Sequence, residues 1–112
     1  MLFLGVYGIN VEIQALFLLT QAIMDSKFIE KATGAIADKS RLAILLELKQ
    51  KETLTNAEVM ELVGLSQPCV SHHIKQLIDS GLVSSSKEGR TILLRLNKEA
   101  IQQLTSFLSG LV

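Results

Sequence analysis

Between Leu54 and Ile78 the sequence ends one helix and starts another within a few residues, and few folds accommodate that. Thr55 followed three residues later by Glu58 is a capping box, in which the hydroxyl accepts from the glutamate N–H and the carboxylate from the threonine N–H. Leu54 and Val59 occupy the two positions of a hydrophobic staple around it. Gly64 follows the apolar pair Leu62 and Val63, where a left-handed residue closes a helix. The next helix begins almost at once. Ser66 can cap it, and Pro68 falls in its first turn, where a missing N–H does little harm. Leu65 and Val70 offer a second staple. Val70, Ile74, Leu77 and Ile78 make one apolar face, while His72, Lys75, Gln76 and Asp79 fall on the opposite side. Gly81 ends this helix, expected over 66–80. Two helices joined by a glycine-containing turn form a helix-turn-helix.

The flanks complete the unit. Phe28, Ile29, Ala32, Ala35 and Ile36 recur at helical spacing over 26–36, with Gly34 weakening the run. Asp38 is placed to cap a following helix whose inward stripe is Leu42, Leu45 and Leu46, widened by Ile44 and Leu48. After Gly81 the period changes. Ile92, Leu94 and Leu96 alternate with Thr91, Leu93 and Arg95 as in a strand, and Leu82 and Val83 begin an earlier one. Lys87-Glu88-Gly89-Arg90 reads as the hairpin turn between them. Asn97 can cap a last helix with the stripe Ile101, Leu104, Leu108 and Leu111. The fold class expected is mainly α with a small β-hairpin, a dimeric winged helix-turn-helix over 25–112. A chain of 112 residues fits one domain, and one so small gains from an oligomer interface.

Residues 1–24 stand apart as an apolar extension with one charge, Glu12. Three readings remain open: an upstream extension without a role in the fold, a helix that packs on a dimer, and a membrane anchor. They are ranked in that order, because Asn10, Glu12 and Gln14 interrupt the centre of the run and an unpaired carboxylate is costly in hydrocarbon. No Lys or Arg precedes the run, as a secretory signal requires, and no membrane association is expected. A single cysteine, Cys69, makes no internal disulfide and suits a reducing cytoplasm.

The formal net charge is zero, so any affinity for nucleic acid depends on where charges sit. Residues 64–97 carry Lys75, Lys87, Arg90 and Arg95 against Asp79 and Glu88, a local basic excess. The second helix of a helix-turn-helix reads the major groove with its N-terminal residues, here Ser66 to His72. Gln67 can bond adenine in bidentate fashion, Ser66 and Ser71 can bond base or phosphate, and Lys75, Lys87 and Arg90 can neutralise flanking phosphates. Singly, any of these is an ordinary solvated side chain. The weight lies in the order of cap, turn, polar helix tip and basic hairpin.

Residues 31–96 resemble the ArsR family of winged-helix repressors. The resemblance rests on Ala37-Asp38-Lys39-Ser40-Arg41-Leu42-Ala43-Ile44-Leu45, on Leu65-Ser66-Gln67-Pro68-Cys69-Val70-Ser71-His72-His73-Ile74-Lys75-Gln76-Leu77, and on Ser80-Gly81-Leu82-Val83 with Gly89-Arg90. It implies a homodimeric repressor of transcription, paired through its first and last helices and binding a double-stranded DNA operator with an inverted repeat. It also implies base reading by Gln67, Ser71 and His72 and a wing contact by Arg90. Lys39, Cys69 and Leu94 depart from residues common in the family, at no cost to the fold. Metal-sensing members carry a cysteine pair in the short helix, where Glu58-Val59-Met60-Glu61-Leu62 has none. Others use Asp, His and Glu on the last helix, where Asn97, Glu99, Gln102, Gln103 and Ser106 offer no imidazole. No metal ligand set and no cofactor is therefore expected.

Cys69 and His73 share a helical face, which raises a metal pair or a nucleophile with its base. The plainer reading is a small first-turn residue and a histidine at the core's edge, and no enzyme activity is expected. Cys69 is also a possible redox switch at the DNA face. The alternative to DNA binding is a winged-helix module that binds protein.

Overall fold

The computed structural model describes the backbone from Leu4 to Val112, and side chains at 11–19 and 25–112. Helix α1 (Leu4–Ile36) runs unbroken through residue 24 and through Gly34. The helix expected from residue 26 is therefore the last third of a longer one. An interior glycine costs about 1 kcal/mol relative to alanine, which a helix of 33 residues absorbs. The chain breaks at Ala37 and re-enters helix α2 (Lys39–Lys51), capped by Asp38, whose carboxylate accepts from the Arg41 N–H at 3.0 Å.

On α2 the inward residues are Ile44 and Leu48, both fully buried. This corrects the stripe read from sequence: Leu42 and Leu46 are 42% and 59% exposed, and Leu45 is half-buried. Apolar side chains cover more of this helix than the core can take, and packing chose the Ile44–Leu48 pair. The core continues through Leu54, Val59, Val70, Leu77, Leu82 and Leu94, with Ala32 and Ala35 bringing the end of α1 close.

The sheet has three strands, β1 (Leu54–Thr55), β2 (Val83–Glu88) and β3 (Thr91–Leu96), in the antiparallel order β1-β3-β2. The hairpin was legible and β1 was not. Leu54 pairs with Leu94, and Thr55 pairs with Leu93 while also capping α3 (Asn56–Val63). In the hairpin Glu88 pairs with Thr91, so the turn is the two residues Gly89-Arg90 rather than four. Gly89 has φ 64° and Arg90 is not positive, the pattern of a turn that wants glycine first. Helix α4 (Gln67–Asp79) follows α3, and α5 (Lys98–Ser109) closes the chain, capped by Asn97 at the Ala100 N–H. Of the stripe expected on α5, Leu104 is buried and Ile101 half-buried, while Leu108 and Leu111 are 50% and 70% exposed.

Candidate nucleic-acid interface

The turn between α3 and α4 is set by local chemistry. Both halves of the capping box form, Glu58 N–H to the Thr55 hydroxyl and Thr55 N–H to the Glu58 carboxylate, each at 3.1 Å. Those bonds, with the charge of Lys51 assisting, hold the Glu58 carboxyl below its ordinary value. Gly64 adopts φ 66°, a conformation that a side chain resists, and returns its N–H to the Met60 carbonyl at 2.9 Å. Ser66 has the extended backbone of a cap, but its side chain makes no capping hydrogen bond. The cap expected there is a cap by backbone only. The first bond of α4 runs from the Val70 N–H to the Ser66 carbonyl, so the N–H groups of Ser66, Gln67 and Cys69 find no acceptor among the described residues.

Val70, Ile74 and Leu77 are buried and seat α4 on the core. At helical spacing this turns Gln67, Ser71 and Lys75 outward in one row, with His72 beside them, and all four are exposed. Lys87 and Arg90 are exposed on the separate hairpin, whose strand β2 is open to solvent from Ser84 onward. No hydrogen bond or ion pair joins the hairpin tip to α4 among the described residues, and Lys75, Lys87 and Arg90 make no ion pair there. The site thus has two parts: a polar row with bare amides at its head, and a basic loop on the following hairpin.

The rear of α4 is held by a cluster that sequence reading missed. Arg41 of α2 donates through Nε to the Ala35 carbonyl at 2.7 Å and through Nη2 to the Gly34 carbonyl at 3.2 Å, meeting the last turn of α1. Its Nη1 bonds the Gln76 Oε1 and lies 3.1 Å from His73 Nδ1. One guanidinium therefore ties α1 and α4 to α2. The same His73 Nδ1 lies 3.7 Å from Asp38 Oδ2. A neutral ring can accept from Arg41, and a protonated one faces the carboxylate. The Arg41 N–H bond, with the Arg41 and His73 charges, holds the Asp38 carboxyl below its ordinary value. Gln76, expected among the solvated residues, is half-buried in this cluster. Partners 32 and 35 residues apart leave no local signal.

The Cys69–His73 pair does not assemble. Cys69 is an exposed free thiol, and no hydrogen bond joins it to His73 among the described residues. Among those residues, no group of three or more His, Cys, Asp and Glu converges as a metal site requires, and no helix is long and apolar enough to cross a membrane.

Residues 38–85 match the family model described as bacterial regulatory protein, arsR family. The arsenical resistance operon repressor of Staphylococcus xylosus is 33% identical over 81 residues, 72% of this chain and 77% of that one. A crystal structure of an ArsR family transcriptional regulator superposes with a TM-score of 0.69 at 26% identity, over 76% of this chain and 87% of the other. HlyU from Vibrio cholerae N16961 gives 0.60 at 28% identity, over 77% and 92%.

Proposed function

Because the chain belongs to the ArsR family of bacterial regulatory proteins, and is with it a DNA-binding transcriptional regulator, we propose that it acts as a homodimeric repressor on an inverted-repeat operator. The observation that carries this reading is the exposed row Gln67, Ser71 and Lys75 on α4, headed by unpaired backbone amides. A helix N-terminus with free N–H groups receives a phosphate readily, which would set the depth of α4 in a major groove. Gln67, Ser71 and His72 then lie against base edges, and Lys75, with Lys87 and Arg90 on the wing, against phosphates. Ser66 stands at the entry, where its hydroxyl makes no capping hydrogen bond among the described residues and is open to phosphate. A two-fold pair of such helices fits half-sites about one helical turn, roughly 34 Å, or a multiple of it apart. DNA as partner gives the protein a cytoplasmic place of action. The protein-binding module is the less favoured alternative, since the named relatives are regulators of transcription.

Fluorescence anisotropy on operator fragments selected from genomic DNA, repeated across a potassium chloride series, tests the reading. Gln67→Ala or His72→Ala should each cost about 1–3 kcal/mol and relax discrimination at one position. Lys75→Ala, Lys87→Ala or Arg90→Ala should weaken all sequences alike and lower the salt slope by about one each. Binding that ignores salt, or survives all these changes, would place recognition on another surface.

A further inference from the structure

Two neighbouring histidines on α4 have opposite surroundings. His72 lies with the exposed row, whereas the His73 side chain is 16% exposed and faces the start of α2. Their rings are tilted at 51° with centroids 6.2 Å apart. The rear position follows from spacing: Val70, Ile74 and Leu77 are buried, and His73 and Gln76, one turn apart, flank that row. Opposite them the first turn of α2 supplies a carboxylate and a guanidinium together, because Asp38 caps the Arg41 N–H. His73 Nδ1 lies 3.1 Å from Arg41 Nη1 and 3.7 Å from Asp38 Oδ2.

One atom cannot serve both neighbours. Nδ1 accepts from Arg41 only when it carries no hydrogen, which puts the hydrogen of the neutral ring on Nε2. Once protonated, Nδ1 is a donor. It then opposes the guanidinium and is drawn to the carboxylate, now too far for a hydrogen bond but within reach of an ion pair. The same Nη1 holds Gln76. Its displacement therefore loosens both contacts to α4, while Nε and Nη2 keep the Ala35 and Gly34 carbonyls of α1. Helices α1 and α3 and strand β2 also pack on α4. Among the described residues none of them makes a hydrogen bond or ion pair with His73. Lys31 of α1 and Asp79 of α4 line a cleft with Arg41 and Gln76, on the far side of the guanidinium from the ring. We propose that His73 is a proton-operated latch on α4. Neutral, it locks the helix to Arg41 in the position that meets DNA. Protonated, it exchanges Arg41 for Asp38 and releases the helix, so operator affinity falls on acidification. This rests on the reading of α4 as the helix that enters the groove.

Anisotropy on one operator fragment from about pH 8 to pH 5.5, at constant ionic strength, is the test, with melting by circular dichroism as a check on folding. His73→Gln keeps an oxygen for Arg41 and cannot titrate. The parent and this variant both retain His72, so the ratio of their affinities isolates His73. Relative to the variant, the parent should lose about threefold to tenfold between pH 7.5 and pH 5.5, within the tenfold per pH unit that one linked proton allows. His73→Lys, a fixed cation that cannot accept, should bind weakly at every pH. Asp38→Asn still caps α2 but offers the protonated ring no charge, so the loss should begin at lower pH. Proton NMR of the parent reads the latch without mutation, since the chain has two histidines and His72→Gln assigns their signals. Operator should move the titration midpoint of the His73 ring down, by reciprocity, and that of His72, beside the polyanion, up. A parent whose pH profile matches that of His73→Gln, or a His73 midpoint that operator leaves in place or raises, overturns the latch and leaves the groove reading standing. Operator binding that survives Gln67→Ala, His72→Ala and Lys75→Ala overturns the groove reading and the latch together.

Discussion

Helices α3 and α4 lie on either side of one tight turn, and their first turns are finished in opposite ways. At α3, Thr55 and Glu58 bond each other's backbone reciprocally, and the end is closed. At α4, Ser66 takes the backbone of a cap but lends no side chain, and Pro68 removes one donor from the turn. Among the described residues the other capped helix starts, at Asp38, Thr55 and Asn97, use their side chains. The closed end serves the fold: it turns the chain from β1 into α3 and sets Val59 in the core. The open end leaves amide donors to a ligand and takes its stability from elsewhere, from the buried row Val70, Ile74 and Leu77 and from Arg41 at the rear. Under the proposed reading, the helix that meets DNA is anchored at its back so that its head can stay bare.

The sharpest way to break this contrast is to remove the anchor. Arg41→Ala strips four hydrogen-bonding contacts to α1 and α4 at once and leaves the Gln76 carbonyl and the last turn of α1 unpaired. It should cost about 2–3 kcal/mol in urea unfolding, and operator affinity should fall even where the protein stays folded. Arg41→Lys should recover little, since an ammonium cannot span carbonyls of α1 and side chains of α4 together. Full stability in Arg41→Ala would mean that the apolar row alone seats α4.

Next in size is the attempt to close the open end. Ser66→Asp supplies both a capping acceptor and a negative charge at the head of α4. Its effects should have opposite signs: a gain of about 0.5–1 kcal/mol in unfolding free energy, and a loss of operator affinity of about tenfold at low salt. A variant that gains stability and keeps its affinity would show that the bare amides have no part in binding.

How much of this could be read in advance divides along the same line. The caps at Asp38, Thr55 and Asn97, the turn at Gly64 and the exposed row Gln67, Ser71, His72 and Lys75 depend on residues within a few positions of one another, and periodicity reveals them. The arrangement that holds α4 depends on Arg41 meeting His73 and Gln76 from another helix, and no spacing rule reaches that far. Strand β1 was hidden for a related reason: two residues show no alternation, and pairing with β3 alone makes them a strand. On α2, sequence offered more leucines than the core accepts, and only packing separated buried Ile44 and Leu48 from exposed Leu42 and Leu46. Even the missing cap at Ser66 was invisible, because a serine before a helix reads the same whether or not its hydroxyl turns inward.

The closed end can be opened in turn, with a smaller effect. Thr55→Ala should cost about 1 kcal/mol, and the loss should appear in unfolding with the salt slope of operator binding unchanged.

Acid should open the closed ends without mutation. The folded carboxyls of Asp38 and Glu58 lie below their ordinary values of 3.8 and 4.5, so each contributes stability that is complete above those values. The contribution is lost as pH falls through them toward the depressed folded values. Unfolding midpoints measured from pH 6 down to pH 3 should therefore decline, beginning near 4.5. Glu58→Gln keeps an oxygen for the Thr55 N–H but cannot titrate, so it should flatten that decline while retaining most of the stability at pH 6. The head of α4 holds no carboxylate and contributes nothing to the acid profile of the parent. Ser66→Asp should give it one, and the added stability of that variant should disappear over the same acid range. An acid profile identical in parent, Glu58→Gln and Ser66→Asp would mean that neither helix start owes its stability to a charged cap.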